Sequence, residues 1–185
     1  MPAKTLSRGG TYYGVAKPEW SDPLDTSHAK RHGRRWNPPG EFGALYLSRT
    51  IEVAAANARW QHRGRAIGRF DLRPERRPVL VTLELLGSRL LDVVTAAGVA
   101  SVRFPARYPY GVSRARCQPV GRRAYHDGLA GVACRSAAEC TPTEWLGEEL
   151  AWFDRSRGVR EIGKRRAFAD WYPDVVPDAR SVSPR

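Results

Sequence analysis

The chain has 185 residues, of which 42% are hydrophobic and 27% are charged. That length can bury a core of its own, so the composition predicts one globular domain and excludes a wholly disordered chain, a collagen-like chain and a coiled coil. The 31 lysines and arginines outnumber the 19 acidic residues and give a formal net charge of +12. Such an excess favours a partner that is acidic or carries phosphate.

The three cysteines, Cys117, Cys134 and Cys140, form no CxxC pair. An odd number without that spacing argues against a disulfide framework and a structural zinc site, so we expect reduced thiols and no metal. No apolar run approaches the roughly 20 residues that span a bilayer, and residues 1–10 lack the apolar core of a secretory signal. We therefore expect a cytoplasmic protein with no membrane partner.

In chain order, the hydrophobic pattern predicts short strands and a few helices. The first predicted strand covers residues 11–16, and a polar loop with several prolines follows as far as residue 40. A strand at 44–48 leads into an alanine-rich helix at 51–62, which contains neither glycine nor proline.

The second half of the chain continues the same mixture. Its predicted elements are two strands rich in valine and leucine, a helix limited by a proline, a buried strand, and a segment that fits either a helix end or a final strand: 79–86, 90–94, 113–126, 129–134 and 146–153. The sum predicts a single compact α+β domain. We divide the chain into an N-terminal extension at 1–10, the domain at 11–154, and a basic, partly loose tail at 155–185.

The most informative stretch joins a basic and aromatic loop to the strand at 44–48 through a Pro-Pro-Gly turn. The Arg35 guanidinium can bind phosphate oxygens in pairs, and Tyr46 offers a flat face for a planar ring and a hydroxyl for orientation. This combination suits a ligand with both a pyrophosphate and an aromatic ring. The alternative is a surface loop in which Trp36 and Tyr46 pack in the core.

Five segments in order resemble the RES domain family. The five segments are an early loop at 20–24 (WSDPL), a basic turn at 35–40 (RWNPPG), a strand with one tyrosine at 44–47 (ALYL), a segment with a late strand and a serine at 126–137 (HDGLAGVACRSA), and a closing strand at 147–153 (GEELAWF). The resemblance implies a fold related to ADP-ribosyltransferases. It also implies a toxin of the RES–Xre type, which consumes NAD by phosphorolysis, hydrolysis or ADP-ribosyl transfer, and whose partner is an Xre-type helix-turn-helix antitoxin that blocks the site.

The resemblance also assigns roles to single residues. Arg35 would bind the phosphates of NAD, Tyr46 would stack on its ring, and Ser136 would hydrogen-bond near the nicotinamide or the ribose. Breaking the nicotinamide–ribose bond builds positive charge on the ribose, and the family places a glutamate near that charge. In this sequence Asn57 stands at the position of that glutamate.

Two positions therefore depart from the family pattern. Asn57 stands where the family has a glutamate, and Gly14 stands where the family has an arginine. A missing unit charge at about 4 Å, with an effective dielectric constant of about 20, removes about 4 kcal/mol of stabilisation, which corresponds to a rate loss on the order of a thousandfold. Either Glu139 or Glu41 could replace the carboxylate. The basic loop offers three substitutes for the arginine: Arg31, His32 and Arg34.

A different class of function remains open, in which the chain is a non-catalytic basic module that binds nucleic acid or a protein. Residues 103–123 carry six arginines and no acid, interleaved with three aromatic residues, and the segment 155–166 is basic as well. Aromatic rings among arginines can stack on bases and bind phosphates. We favour the NAD-directed reading over nucleic-acid binding because the five segments occur in the family's order.

Overall fold

The computed structural model describes residues 3–66, 68 and 70–172 and confirms an α+β domain. Its strands are β1 (Thr5–Ala16), β2 (Ala44–Ser48), β3 (Val79–Val93), β4 (Gly131–Arg135), β5 (Glu148–Phe153) and β6 (Val159–Glu161). Its helices are α1 (Ser27–His32), α2 (Ile51–Trp60), α3 (Ala96–Ser101), α4 (Arg114–His126) and α5 (Phe168–Trp171), with a short 3-10 turn at Pro74–Arg76.

Within the described residues, the six strands form one sheet in the order β1-β2-β5-β4-β3-β6, and an additional pairing of β1 with β3 closes the first five into a ring. The strands β3 and β4 run parallel, whereas the other pairs are antiparallel. The β1–β2 junction is much weaker than the others, because Tyr13 and Ser48 are its one register pair. The ring is therefore nearly split between β1 and β2.

The hydrophobic core has three parts, because hydrophobic residues pack both inside the ring of strands and against its outer face. Alternate residues of the ring, including Leu47, Leu83 and Trp152, fill its interior. The opposite face of β2, β4 and β5 packs against α4 and the loop that carries Trp36. The third part lies on β1 and β3, where α2 and α5 cover Leu80.

The N-terminal extension predicted at 1–10 is wrong for residues 5–10, because β1 begins at Thr5. The predicted strands at 79–86 and 90–94 are one strand, β3. The residues between them, which the sequence predicts as a turn, belong to the strand because their pairing with β1 continues through Ser88 and Arg89. A Cβ atom on Gly9 would lie 2.8 Å from the backbone of Gly87, so the absence of a side chain at Gly9 allows the strands to approach there.

Of the two alternatives for the segment 146–153, the structure has the final strand, β5. Two other parts differ from the prediction, and the first is the polar loop before residue 40, which contains α1. The second is the tail predicted from residue 155, which contains two elements of the fold. The strand β6 pairs with β3, and the helix α5 is buried. The part of that tail at 173–185 lies outside the described residues.

No helix in the described part of the chain has the length and apolar character needed to cross a membrane.

The helix α2 starts where the sequence predicts, since the Thr50 side chain accepts a hydrogen bond from the Val53 backbone N–H and caps the first turn. This helix ends at Trp60, two residues before the predicted end.

Candidate active site

A cavity of about 370 Å³ opens where β1 and β2 separate. Its wall is formed by residues 14–16 of β1, all of β2, part of α2, the loop before β2, and residues 137–138 after β4. Gly14 lies in this wall, so β1 contributes no side chain at the position where the RES family carries an arginine.

Helix α4 holds the loop that carries Arg35. The Gln118 side chain donates a hydrogen bond to the Arg34 carbonyl at 3.0 Å, and the Arg35 guanidinium contacts the Cys117 sulfur at 3.8 Å. Gly121 packs so closely that a Cβ atom there would lie 1.9 Å from the carbonyl oxygen of Trp36. The loop is therefore fixed by direct backbone contact with the helix.

Three arginines line the cavity: Arg34, Arg35 and Arg114. None of them forms an ion pair with another described residue. Arg35 is half-buried, and its hydrogen bond to the Val112 carbonyl is long, at 3.4 Å. Because a guanidinium carries five N–H donors, most of its capacity is left for an anion in the cavity.

Tyr46 lies in the cavity wall, and its hydroxyl is anchored within the protein. The hydroxyl oxygen accepts a hydrogen bond from the Trp36 N–H at 2.8 Å and donates one to the Asn37 side-chain oxygen at 2.9 Å. Burial of the hydroxyl raises the pKa of Tyr46, so it stays protonated. Trp36 is a core residue, as the alternative reading of the loop predicts.

We expect Tyr46→Phe to lower the free energy of unfolding by about 1–3 kcal/mol, because the buried Trp36 N–H and Asn37 oxygen lose their partner while the ring stays in the cavity. Chemical denaturation measures this loss. The exposed Tyr110 is the matched control, and Tyr110→Phe is expected to change stability by less than about 0.5 kcal/mol. Equal effects of the two substitutions would show that the hydroxyl does not hold the loop.

A carboxylate that the sequence reading did not consider lies in the cavity wall. Glu149 is the second residue of β5, and its side-chain oxygen accepts a hydrogen bond of 2.7 Å from the amide of Asn57 on α2. Ser136 also hydrogen-bonds this carboxylate. Burial raises the pKa of Glu149, while the hydrogen bonds from Ser136 and Asn57 and the charge of Arg35 act in the opposite direction.

The structure thus brings Arg35, Tyr46 and Asn57 to one cavity, with Ser136 directly behind it. Ser136 is fully buried, and its hydroxyl oxygen accepts a hydrogen bond from the Ala138 N–H. Ser136 therefore reaches the cavity through Glu149 rather than by its own hydroxyl.

The other candidates lie elsewhere, Arg34 excepted. Arg31 and His32 are exposed on α1, outside the cavity wall that the described residues form. Glu139 forms an ion pair with Arg59, and Glu41 forms one with Arg122. Neither glutamate lines the cavity of the described structure, so neither replaces the missing carboxylate there.

Sequence reasoning missed Glu149, Arg114 and His28, all of which line the cavity. Glu149 lies opposite Ser48 on β2 and Cys134 on β4, so the three residues share one face of the sheet. This pairing joins distant segments and is not indicated by the sequence near Glu149. Among the described residues, His, Cys, Asp and Glu side chains form no group of three that could hold a metal ion.

These features define an α+β domain whose split sheet carries a cavity with arginines, a tyrosine and a half-buried carboxylate. A family model, the RES domain, matches residues 11–168. The chain therefore belongs to the RES domain family.

A solved structure agrees with this assignment. A chain in the crystal structure of the M. tuberculosis MbcT–MbcA toxin–antitoxin complex matches with a TM-score of 0.69 over 85% of this chain and 86% of that chain. The two sequences are 23% identical, so this likeness establishes the fold. No curated protein matches the sequence.

Proposed function

We propose that this protein is the toxin of a toxin–antitoxin pair and cleaves the nicotinamide–ribose bond of NAD in the cavity. The observation that carries the proposal is the juxtaposition, in one cavity, of Tyr46, the half-buried carboxylate of Glu149, and arginines that form no ion pair among the described residues. The arginines suit the pyrophosphate, and the tyrosine ring suits the planar nicotinamide. Family membership supports the choice of NAD.

The chemistry needs little from the protein beyond position and charge. The C–N bond breaks with its electron pair moving to the pyridinium nitrogen, which leaves as neutral nicotinamide, and the positive charge moves to the ribose. An oxygen of phosphate, water or a protein side chain then forms the new bond to that carbon. Arg35 holds the pyrophosphate, Tyr46 orients the ring, and a carboxylate in the wall stabilises the developing cation.

The partner we propose is an antitoxin of the Xre type that covers the mouth of the cavity. Trp20 and Trp60 line the cavity and are 39% and 43% exposed. Large aromatic side chains are enriched where proteins dock, so a partner that buries both would also close the site. The occurrence of the matched M. tuberculosis fold in a toxin–antitoxin complex is in line with this arrangement.

The test is incubation of the purified protein with NAD, with and without inorganic phosphate, followed by measurement of released nicotinamide. We expect release that depends on the protein, and the phosphate arm shows whether phosphate accepts the ribosyl group. Calorimetry with NAD measures binding independently of turnover. A protein that neither binds NAD nor releases nicotinamide would refute the proposal.

The alternative, a basic module for nucleic acid, predicts binding that weakens steeply with salt and no nicotinamide release. Part of the basic zone on α4 is already engaged within the protein. Arg122 pairs with Glu41, Arg123 pairs with Asp127, and the Arg116 guanidinium lies over the ring of Phe104. These contacts favour the cavity as the functional site.

A further inference from the structure

The carboxylate of Glu149 lies against the residue that stands where the RES family has its glutamate. The amide nitrogen of Asn57 on α2 donates a 2.7 Å hydrogen bond to a Glu149 oxygen from the neighbouring strand β5. A carboxylate at position 57 and one at position 149 would therefore occupy adjoining parts of the same wall. Compared with the family, this chain has an amide in place of the acid on the helix. The Glu149 carboxylate contacts that amide within the cavity wall.

The described part of the protein supplies hydrogen-bond donors to this carboxylate but no ion-pair partner. Asn57 and Ser136 hydrogen-bond it, and Arg35 acts on it through its charge without forming an ion pair. Glu148, its neighbour in the strand, differs in this respect, because it points to the other face and pairs with Arg8 at 2.7 Å. A half-buried carboxylate without an ion pair costs stability, and groups of this kind cluster at functional sites.

We propose that Glu149 supplies from β5 the negative charge that stabilises the ribosyl cation, and that Asn57 and Ser136 are the positioning residues that orient it. This inference rests on the proposed function. In the family the negative charge lies on the helix, whereas in this protein it lies on the strand β5. The absence of charged side chains at Gly14 and Asn57 therefore does not by itself make the cavity inactive. The electrons and atoms of the cleavage are unchanged, since Glu149 forms no bond and transfers no proton.

Among the described residues, Asp25 is the other acidic residue that lines the cavity, and its surroundings differ. It is exposed beside α1, and its two oxygens accept hydrogen bonds from the backbone N–H and the hydroxyl of Ser27. An exposed carboxylate is screened by water, whereas the half-buried carboxylate of Glu149 acts on a nearby cation with less screening. Glu149 is therefore the stronger source of charge.

The first test compares Glu149→Gln with Glu148→Gln in the nicotinamide-release assay. Glutamine keeps an oxygen for the Asn57 amide but carries no charge, so we expect kcat to fall by roughly 100-fold or more, with the Kd for NAD changed by less than about threefold. Glu148→Gln changes the adjacent residue on the opposite face and is expected to keep kcat. A Glu149→Gln protein with the kcat of the wild-type protein would overturn the inference.

The second test moves the charge back to the helix. Asn57→Glu alone places two carboxylates within hydrogen-bond distance, where one retains its proton, so the pair carries about the same charge and the rate does not rise. In the Glu149→Gln background the same substitution restores a single carboxylate and is expected to recover at least about tenfold of the lost rate. A tenfold gain from Asn57→Glu alone, or no recovery in the double variant, would contradict the inference.

Thermal unfolding separates this role from a structural one. Because burial raises the pKa of Glu149, the folded state holds the proton more tightly than the unfolded chain, and this residue lowers stability as pH rises through that pKa. Relative to wild type, the Tm of Glu149→Gln should therefore rise as the pH increases above about 4.3, the pKa of an unperturbed glutamate. Of the titratable groups that interact with Glu149, Arg35 stays charged, and Cys134 and Tyr108 stay neutral because burial raises their pKa values.

The outcomes for the two proposals are distinct. Nicotinamide release by wild type that Glu149→Gln leaves intact refutes the role of Glu149 and leaves the proposed function standing. Release by Asn57→Glu but not by wild type also refutes Glu149 while supporting the cavity as an NAD site. An absence of NAD binding and turnover in wild type and all variants refutes the proposed function, and the role of Glu149 with it.

Discussion

Replacing Arg35 by alanine is expected to raise the Kd for NAD about 100-fold, measured by calorimetry, and to leave the Tm nearly unchanged. The guanidinium lines the cavity, has no ion pair among the described residues and makes only long contacts with Val112 and Cys117. Charge-assisted hydrogen bonds to phosphate contribute about 1.5–3 kcal/mol each, whereas little inside the protein depends on this side chain.

Two further variants make the Arg35 result specific. Arg35→Lys keeps the charge but loses the planar fork, so we expect an intermediate Kd. Arg31→Ala removes a second arginine of the same basic segment, which the structure places on the exposed side of α1 and outside the cavity. If Arg31→Ala weakened NAD binding as much as Arg35→Ala, the effect would reflect net charge rather than the cavity.

Gly121→Ala is expected to destabilise the protein by about 3 kcal/mol or more and to abolish NAD binding as well. A Cβ atom at this position would lie 1.9 Å from the carbonyl oxygen of Trp36, so α4 would have to move away from the loop that carries Arg35. The neighbouring atoms are backbone, which cannot turn aside as a flexible side chain does. Chemical denaturation and NAD calorimetry on the same preparation measure both losses.

Gly87→Ala provides the matched control for this substitution. Gly87 lies in β3, and a Cβ atom there would meet nothing within 4 Å, so we expect a change in stability of less than about 1 kcal/mol. Normal stability and NAD binding in Gly121→Ala would show that the contact between α4 and the Trp36 backbone does not hold the site together.

Part of the candidate site could be predicted because its residues lie in continuous motifs. The pair Arg35 and Tyr46 is predicted from one short stretch, and both residues line the cavity. For Trp36 and Tyr46 the competing core interpretation is also correct in part, because the Trp36 side chain and the Tyr46 hydroxyl are buried. One stretch can serve both purposes, since successive residues of a loop or strand face different directions.

The missing carboxylate could not be found by the same reasoning. The acids that lie near the motifs in sequence include Glu139 and Glu41, but both are engaged in surface ion pairs. Glu149 is 92 residues from Asn57 in sequence, and only the pairing of β5 with β2 and β4 places it in the same wall. A contact between distant segments has no local sequence signal.

The sequence by itself determined the α+β class, the start of α2, the strand that carries Tyr46 and membership of the RES family, because propensity, capping and motif order are local properties of the chain. Only the tertiary structure decided that residues 79–93 form one strand, that β6 and α5 belong to the fold, and that the cavity opens at the single pair between Tyr13 and Ser48. Strand pairing and burial depend on which segments meet in space. The same is true of the charge at the site, since the pairing of strands selects Glu149 from among the acids of the chain.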